Sequence, residues 1–198
     1  MSGVVVVTGA SAGVGRATAG RVGAEGYEVP LVEGRQGGRD DLRRRTGPFL
    51  DRRRRVAALS LLGSAAMGLV AAYQNGLLRH LPEPALTVFD ADRVDASGEV
   101  YELLKTPDAA LGLVSYALTL VLAGAGTASR AEKRPWLPLA LAAKVAADAL
   151  GELYLTVEQA SKHHRFCMWC LTATMASVAM VPQVVPEARA ALRRMIEA

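Results

Sequence analysis

The chain holds two cysteines, Cys167 and Cys170, both within Phe166-Cys-Met-Trp-Cys-Leu171 at the head of an apolar run from Leu171 to Val181. A Cys-x-x-Cys pair at a helix start suits dithiol and disulfide chemistry. The first cysteine meets the N–H groups that the opening turn cannot use and the positive end of the helix dipole, and both favour its thiolate. At this spacing the pair can close a disulfide without large backbone movement, and the deeper cysteine faces the core of the bundle its helix joins. His163 and His164 lie just upstream. In reach of the pair they would lower a thiol pKa or donate protons, although the plainer reading is two exposed loop histidines. Both histidines and both cysteines are metal-ligand types, but neighbouring histidines on a short loop have no evident supporting shell, so no metal is expected.

A second constellation is Lys144, Asp148 and Glu152, whose i, i+4, i+8 spacing places them along one face of a helix. In an apolar helix such groups are costly and point to a bundle interior or a polar cavity. Lys144 and Asp148 neutralise each other, which by itself makes the segment tolerable. The charge of Glu152 is left over, making it the candidate for a proton path.

The elements that must position these groups are apolar helices. Hydrophobic residues make up 51% of the 198 residues and the mean hydropathy is +0.20. They collect in four blocks: Val56 to Leu78, Ala109 to Ala128, Trp136 to Ala160 and Phe166 to Val184. A spanning helix needs about 20 mostly apolar residues. Val56 to Gly76 and Ala109 to Thr127 contain no Asp, Glu, Lys or Arg, so as soluble helices they would lack a polar face. The expected fold class is an all-α membrane protein, a four-transmembrane-helix bundle.

Charge orients it. Arg43 to Arg45 and Arg52 to Arg55 precede the first block, Arg130, Lys133 and Arg134 lie between the second and third, and Arg189, Arg193 and Arg194 follow the fourth. The positive-inside rule puts all three on the cytoplasmic side of a cell membrane, with both termini there. The acidic stretch from Arg79 to Asp108 then faces outward, and Cys167 sits at the outer surface, where disulfides form and turn over. The pI near 9.3 is explained by this orientation, and no nucleic-acid partner is expected. Nor is a cleavable signal peptide, since the first apolar stretch is only Val4 to Val7.

Residues 1–38 read differently. Val4 to Val7, the turn Thr8-Gly-Ala-Ser-Ala-Gly-Val-Gly15, a helical stretch from Arg16 to Ala24 and a second apolar stretch from Tyr27 to Val32 form a short βαβ-like pattern. Gly9, Gly13 and Gly15 would let a pyrophosphate approach the backbone, and the turn resembles the cofactor turn of short-chain dehydrogenases. The resemblance stops within about 35 residues. Two strands and one helix cannot bury enough surface to stand alone, so NAD or NADP binding is not expected. A basic linker over 39–55 leads to the membrane domain over 56–185, and 186–198 form a cytoplasmic tail.

The membrane domain resembles the vitamin K epoxide reductase family of membrane thiol/quinone oxidoreductases. Phe166-Cys-x-x-Cys-Leu-Thr-Ala-Thr174 is similar to the family's active-site cysteines and the small polar turn after them. Arg93-Val-Asp-Ala-Ser97 is similar to its outer-loop Cys-x-x-Val-x-x-Ser stretch, and Leu111-Gly-Leu-Val-Ser-Tyr116 to a stretch of its second span. The resemblance implies that Cys170 passes electrons to a membrane quinone and that Cys167 exchanges disulfides with an external thiol protein or small dithiol. It also implies a quinone site at Ser97 and at Asp108, the latter where the family has an asparagine. Ala91 stands where the family has a loop cysteine, and with no other cysteine present an intramolecular relay is impossible. The alternative is a non-catalytic relative that keeps the bundle for a structural or partner-binding role.

Overall fold

The computed structural model describes residues 46–95 and 108–197, and these are helical, without a strand. The βαβ-like pattern of residues 1–38 and Ser97 lie outside the described residues. Four long helices dominate: α1 (Leu50–Gln74), α3 (Asp108–Gly124), α5 (Trp136–Glu158) and α6 (Met168–Ile196). Two short ones, α2 (Ala91–Asp95) and α4 (Arg130–Lys133), sit in the connections, and a π-helical turn, Gln159–His163, extends α5. α1 packs on α3 and α6, and α5 lies mainly against α6. The core runs along this seam through Val56, Tyr116, Leu141, Val145 and Met180.

The helix ends follow local chemistry. α1 stops at Asn75-Gly76, where Gly76 takes φ 73° and the N–H groups of Asn75 and Leu77 return to the carbonyls of Ala71 and Ala72. α5 follows Pro135 and tolerates Pro138 because a first-turn residue has no intrahelical use for its N–H. Pro182 and Pro186 lie inside α6. Pro186 cannot donate to the carbonyl of Pro182, and Arg52 Nη1 takes its place at 3.2 Å.

α1 begins six residues before the expected Val56, and the reason is Arg53. Expected in a solvated basic flank, it is buried and caps the carbonyl end of α3, donating to the oxygens of Ala123, Ala125, Gly126 and Thr127 at 2.9–3.3 Å. Arg130 reinforces this end through Leu122 O and Ala125 O and forms a bidentate pair with Glu187 at 2.7–2.8 Å. Guanidinium groups suit this place because terminal carbonyls lack intrahelical donors and carry the negative end of the dipole. Arg52, Arg53 and Arg130 thus gather at one end of the bundle. Glu83, Asp90 and Asp92, from the described part of the segment before α3, lie with the two cysteines at the other. α6 continues twelve residues past the expected Val184, because Ala191 and Glu187 are still buried there.

The outward faces are apolar at mid-helix. Leu61 and Leu62 of α1, Val114, Leu118 and Val121 of α3, Leu150, Leu153 and Val157 of α5, and Met175 and Val178 of α6 are all exposed. Apolar surface of this kind is found where a protein meets a membrane or another protein. Two helices, Leu50–Gln74 and Met168–Ile196, are long and apolar enough to cross a bilayer by themselves.

Candidate active site

The cysteines straddle the start of α6. Cys167 is its N-cap, in extended backbone conformation, and its sulfur accepts the backbone N–H of Cys170 at 3.3 Å. Met168 and Trp169 complete the opening turn. A sulfur in this position replaces the Ser, Thr or Asp of an ordinary N-cap, and the interaction strengthens when the sulfur is a thiolate. The backbone N–H of Cys167 is in turn held by Gln159 Oε1 at 3.1 Å, from the π-helical turn. The extra residue of a π turn re-aims a side chain, here Gln159, at the neighbouring helix start.

The two sulfurs have different surroundings. Cys167 is 0% exposed, in a cluster with Val70, Leu81, Ala91, Val94 and Ala109. A strap formed by residues 81–94 covers it. Phe166 N–H donates to Val88 O at 3.0 Å and Asp90 N–H to Phe166 O at 3.1 Å, which makes an isolated parallel bridge between Phe89 and Phe166. Trp169 Nε1 donates to Pro82 O at 2.8 Å. Inside the strap, Ala91 N–H donates to Glu83 and Leu81 N–H to Asp92, whose other oxygen lies 2.6 Å from His80 Nδ1. Burial pushes the Asp92 carboxyl up, but the Leu81 N–H and His80 outweigh it and hold it below the usual carboxylate range. The expected outer-surface Cys167 is therefore enclosed in this conformation.

Cys170 instead lines a cavity of about 520 Å³. Met67 and Val70 of α1, Ala109 and Gly112 of α3, and Gly151 of α5 give it apolar walls, and Ser115, Asp148, Glu152, Gln159, His163 and Thr174 give it polar groups. Lys144 Nζ pairs with Asp148 and donates to Ser115 O and Oγ, and Ser115 Oγ donates to Asp148 Oδ1 at 2.9 Å. This pair is saturated. Glu152 differs. Its Oε1 accepts the Tyr116 hydroxyl at 2.8 Å, and its Oε2 is enclosed with no hydrogen-bond partner among the described residues. The Tyr116 ring lies against Gly63, where any Cβ would come within 2.3 Å of it.

A cysteine N-cap, a second cysteine on an apolar cavity and apolar helices around both are compatible with thiol chemistry at a membrane. The model of the family described as Vitamin K epoxide reductase family matches residues 55–185, more than half of the chain. The chain belongs to the vitamin K epoxide reductase family. No curated protein matches it in sequence. Membership makes this a membrane-associated protein of an oxidoreductase kind, in a family whose substrates are quinones and whose chemistry runs through disulfides.

Of the residues expected from sequence, the structure brings Cys170, Glu152 and His163 to one cavity, with the Cys167 sulfur hydrogen-bonded to the Cys170 backbone. His164 is exposed in a left-handed turn, φ 51°. Asp108 is the first residue of α3, next to the cavity-lining Ala109, while Ser97 is outside the described residues. Among the described residues no three His, Cys, Asp or Glu side chains gather as a metal site. Gln159 and Gly63 carry no sequence signal of their own, since one acts through a π turn and the other by making room. Tyr116 had a signal, its place in the Leu111 to Tyr116 stretch, but its hydroxyl contacts required the assembled bundle.

Proposed function

We propose that the chain is a multi-pass membrane oxidoreductase whose Cys167 and Cys170 cycle between dithiol and disulfide, against a membrane quinone on one side and an external thiol protein or small dithiol on the other. The observation that carries this reading is the placement of Cys170. Its backbone is tied to the sulfur of Cys167, and it lines an apolar cavity large enough for an aromatic ring system. Cys170 is the sulfur that meets the quinone, and Cys167 is the one that exchanges with the thiol partner. Exchange at Cys167 requires the 81–94 strap to lift, because that sulfur is enclosed. Asp108 and Ser97 are assigned to the quinone side. The cavity-lining position of Ala109 supports Asp108, and Ser97 rests on the resemblance of its loop.

In this reading α1, α3, α5 and α6 all span the cell membrane, with both termini cytoplasmic. α5 carries Lys144, Asp148 and Glu152 along its middle, where α1 has no charge, yet these point to Ser115, Tyr116 and the cavity while Leu150, Leu153 and Val157 face out. The clustering of Arg52, Arg53 and Arg130 at the end opposite Cys167 supports the orientation.

The test is whether the purified full chain in detergent oxidises dithiothreitol in a quinone-dependent manner. Turnover that needs quinone and is abolished by Cys170→Ala supports the reading. If wild type and both cysteine variants leave dithiothreitol and quinone unchanged, the bundle is a non-catalytic member of its family.

A further inference from the structure

Quinone reduction needs protons as well as electrons, and the cavity contains one acidic group placed to handle them. We infer that Glu152 is the proton-transfer residue of the cavity, carrying protons between the cysteine thiols and the oxygens of a quinone-class ligand, with Tyr116 as its positioning residue. The inference rests on the thiol/quinone reading above.

Elimination among the ionisable groups comes first. On α5, Lys144 and Asp148 are committed to each other and to Ser115, while Glu158 pairs with Lys162 near the rim. α3 brings Tyr116 to this face, and α6 brings Cys170. α1 contributes Met67, Val70 and Gln74, none of which titrates. His163 lines the cavity from the π turn, and Tyr154 of α5 lines it with a largely exposed side chain. Among the titratable groups that line the cavity, Glu152 alone keeps an enclosed carboxyl oxygen with no hydrogen-bond partner among the described residues.

Hydrogen-bond accounting then assigns its two oxygens. The Tyr116 hydroxyl has one proton and three partners in reach: Glu152 Oε1 at 2.8 Å, Ala173 O at 2.9 Å and Ser177 Oγ at 3.0 Å. Ionised Glu152 attracts that proton to Oε1. Neutral Glu152 carries its own proton on Oε2, and Tyr116 can keep donating to Oε1 or turn to the Ala173 carbonyl. Rotating one hydroxyl therefore serves Oε1 in both protonation states with no heavy atom moving, while Oε2, or the proton on it, is left to a ligand. An enclosed carboxyl oxygen without a partner is costly, and a ligand carbonyl or hydroxyl satisfies it. The tyrosine is fixed in turn by Gly63, which admits its ring.

The step balances as follows. Starting from the dithiol, an oxidised quinone and ionised Glu152, the two S–H bonds break and one S–S bond forms between Cys167 and Cys170. The two electrons released pass to the quinone. Glu152 takes the Cys170 proton, the Cys167 proton follows by way of the Cys170 sulfur before the S–S bond closes, and Glu152 delivers each to a quinone oxygen, which leaves hydroquinone, the disulfide and the carboxylate restored.

The experiment uses the full chain in detergent, with dithiothreitol and a short-chain benzoquinone as probes. Glu152→Gln keeps the shape and a hydrogen-bond donor but cannot shuttle a proton. It should lower kcat by about a hundredfold, the scale of general acid–base catalysis, with much less change in the quinone KM. It should also remove one limb of the pH profile of kcat. Glu152→Asp should recover part of the rate and keep that limb. Tyr116→Phe should shift the limb without removing it, which a residue that only packs would not do. Should Glu152→Gln fail to fold, the profiles of Glu152→Asp and Tyr116→Phe decide: a shifted limb in both supports the inference, and wild-type profiles in both overturn it. Wild-type kcat and pH profile in Glu152→Gln, with Cys170→Ala inactive, overturn this inference and leave the thiol/quinone reading standing. No turnover in the wild type overturns both.

Discussion

A cysteine at an N-cap is both a structural and a chemical residue, and the two aspects are coupled in Cys167. Its sulfur satisfies the Cys170 N–H, and each negative charge it acquires is stabilised by the same bond and by the α6 dipole. Attack on an incoming disulfide is therefore assigned to Cys167, and resolution to Cys170. Offered oxidised dithiothreitol, Cys170→Ala should accumulate a mixed disulfide on Cys167, because the Cys167 thiolate breaks the incoming S–S bond, releases one thiolate and has no second cysteine to resolve the product; Cys167→Ala should trap none. Non-reducing electrophoresis and mass spectrometry of the purified variants read the outcome. Trapping on Cys170 instead would reverse the two roles. At this scale the chemistry was legible, because a Cys-x-x-Cys pair before an apolar run specifies a helix start by its own residues. The partners of the pair were not. Gln159 reaches Cys167 across a π turn that no periodicity of α5 announces, and the enclosure of Cys167 depends on where residues 81–94 fold back.

Elements set these residues in place through two contacts that can be broken separately. The first is the approach of α1 to α3 at Gly63. A methyl group there would stand 2.3 Å from Tyr116 Cζ, and the ring, only 1% exposed, has no free space beside it. Gly63→Ala should cost about 1–3 kcal/mol, the range for overpacking a filled core. Thermal unfolding measures it, and Tyr116→Leu in the same background should recover part of the loss. A neutral Gly63→Ala would mean that α1 and α3 separate more easily than their packing implies.

The second contact is the strap. Asp92 joins its two ends by accepting the Leu81 N–H and facing His80. Its carboxyl is held below its ordinary value of 3.8, so its contribution is fully present above that value and is lost as pH falls through the lowered one. At neutral pH the charge-free equivalent is Asp92→Asn. That variant should expose Cys167 and speed its modification by a neutral thiol reagent several-fold, while Cys170, on the cavity side, reacts as before. Equal rates for Cys167 in variant and wild type would place the hold on the strap elsewhere, in the Phe89 to Phe166 bridge or at Trp169.

For the whole molecule, the four apolar blocks of the sequence correspond to the four long helices: Val56 to Gly76 and Ala109 to Thr127 carry no charge, and the charges of the third block turn to Ser115, Tyr116 and the cavity. Their ends were less legible. Basic residues before Val56 read as a flank, but one of them, Arg53, is drawn into the bundle by the open carbonyls of α3, which lengthens α1. That same contact bears on orientation. Arg53 and Arg130 bind one helix end, Arg52 and Glu187 tie α6 to it, and the exposed arginines around them share that end of the bundle. If this end is cytoplasmic, a reporter fused after Ala131 should be active only in a cytoplasmic form. A reporter placed within residues 90–99 should be active only outside. Removing residues 1–38 should leave both results and dithiol turnover unchanged, because every contact described here between helices is made by residues after Leu50. Reporters that agree with each other would require an odd number of spans between them to be wrong, and α1, α3 and the strap would have to be placed anew relative to the membrane.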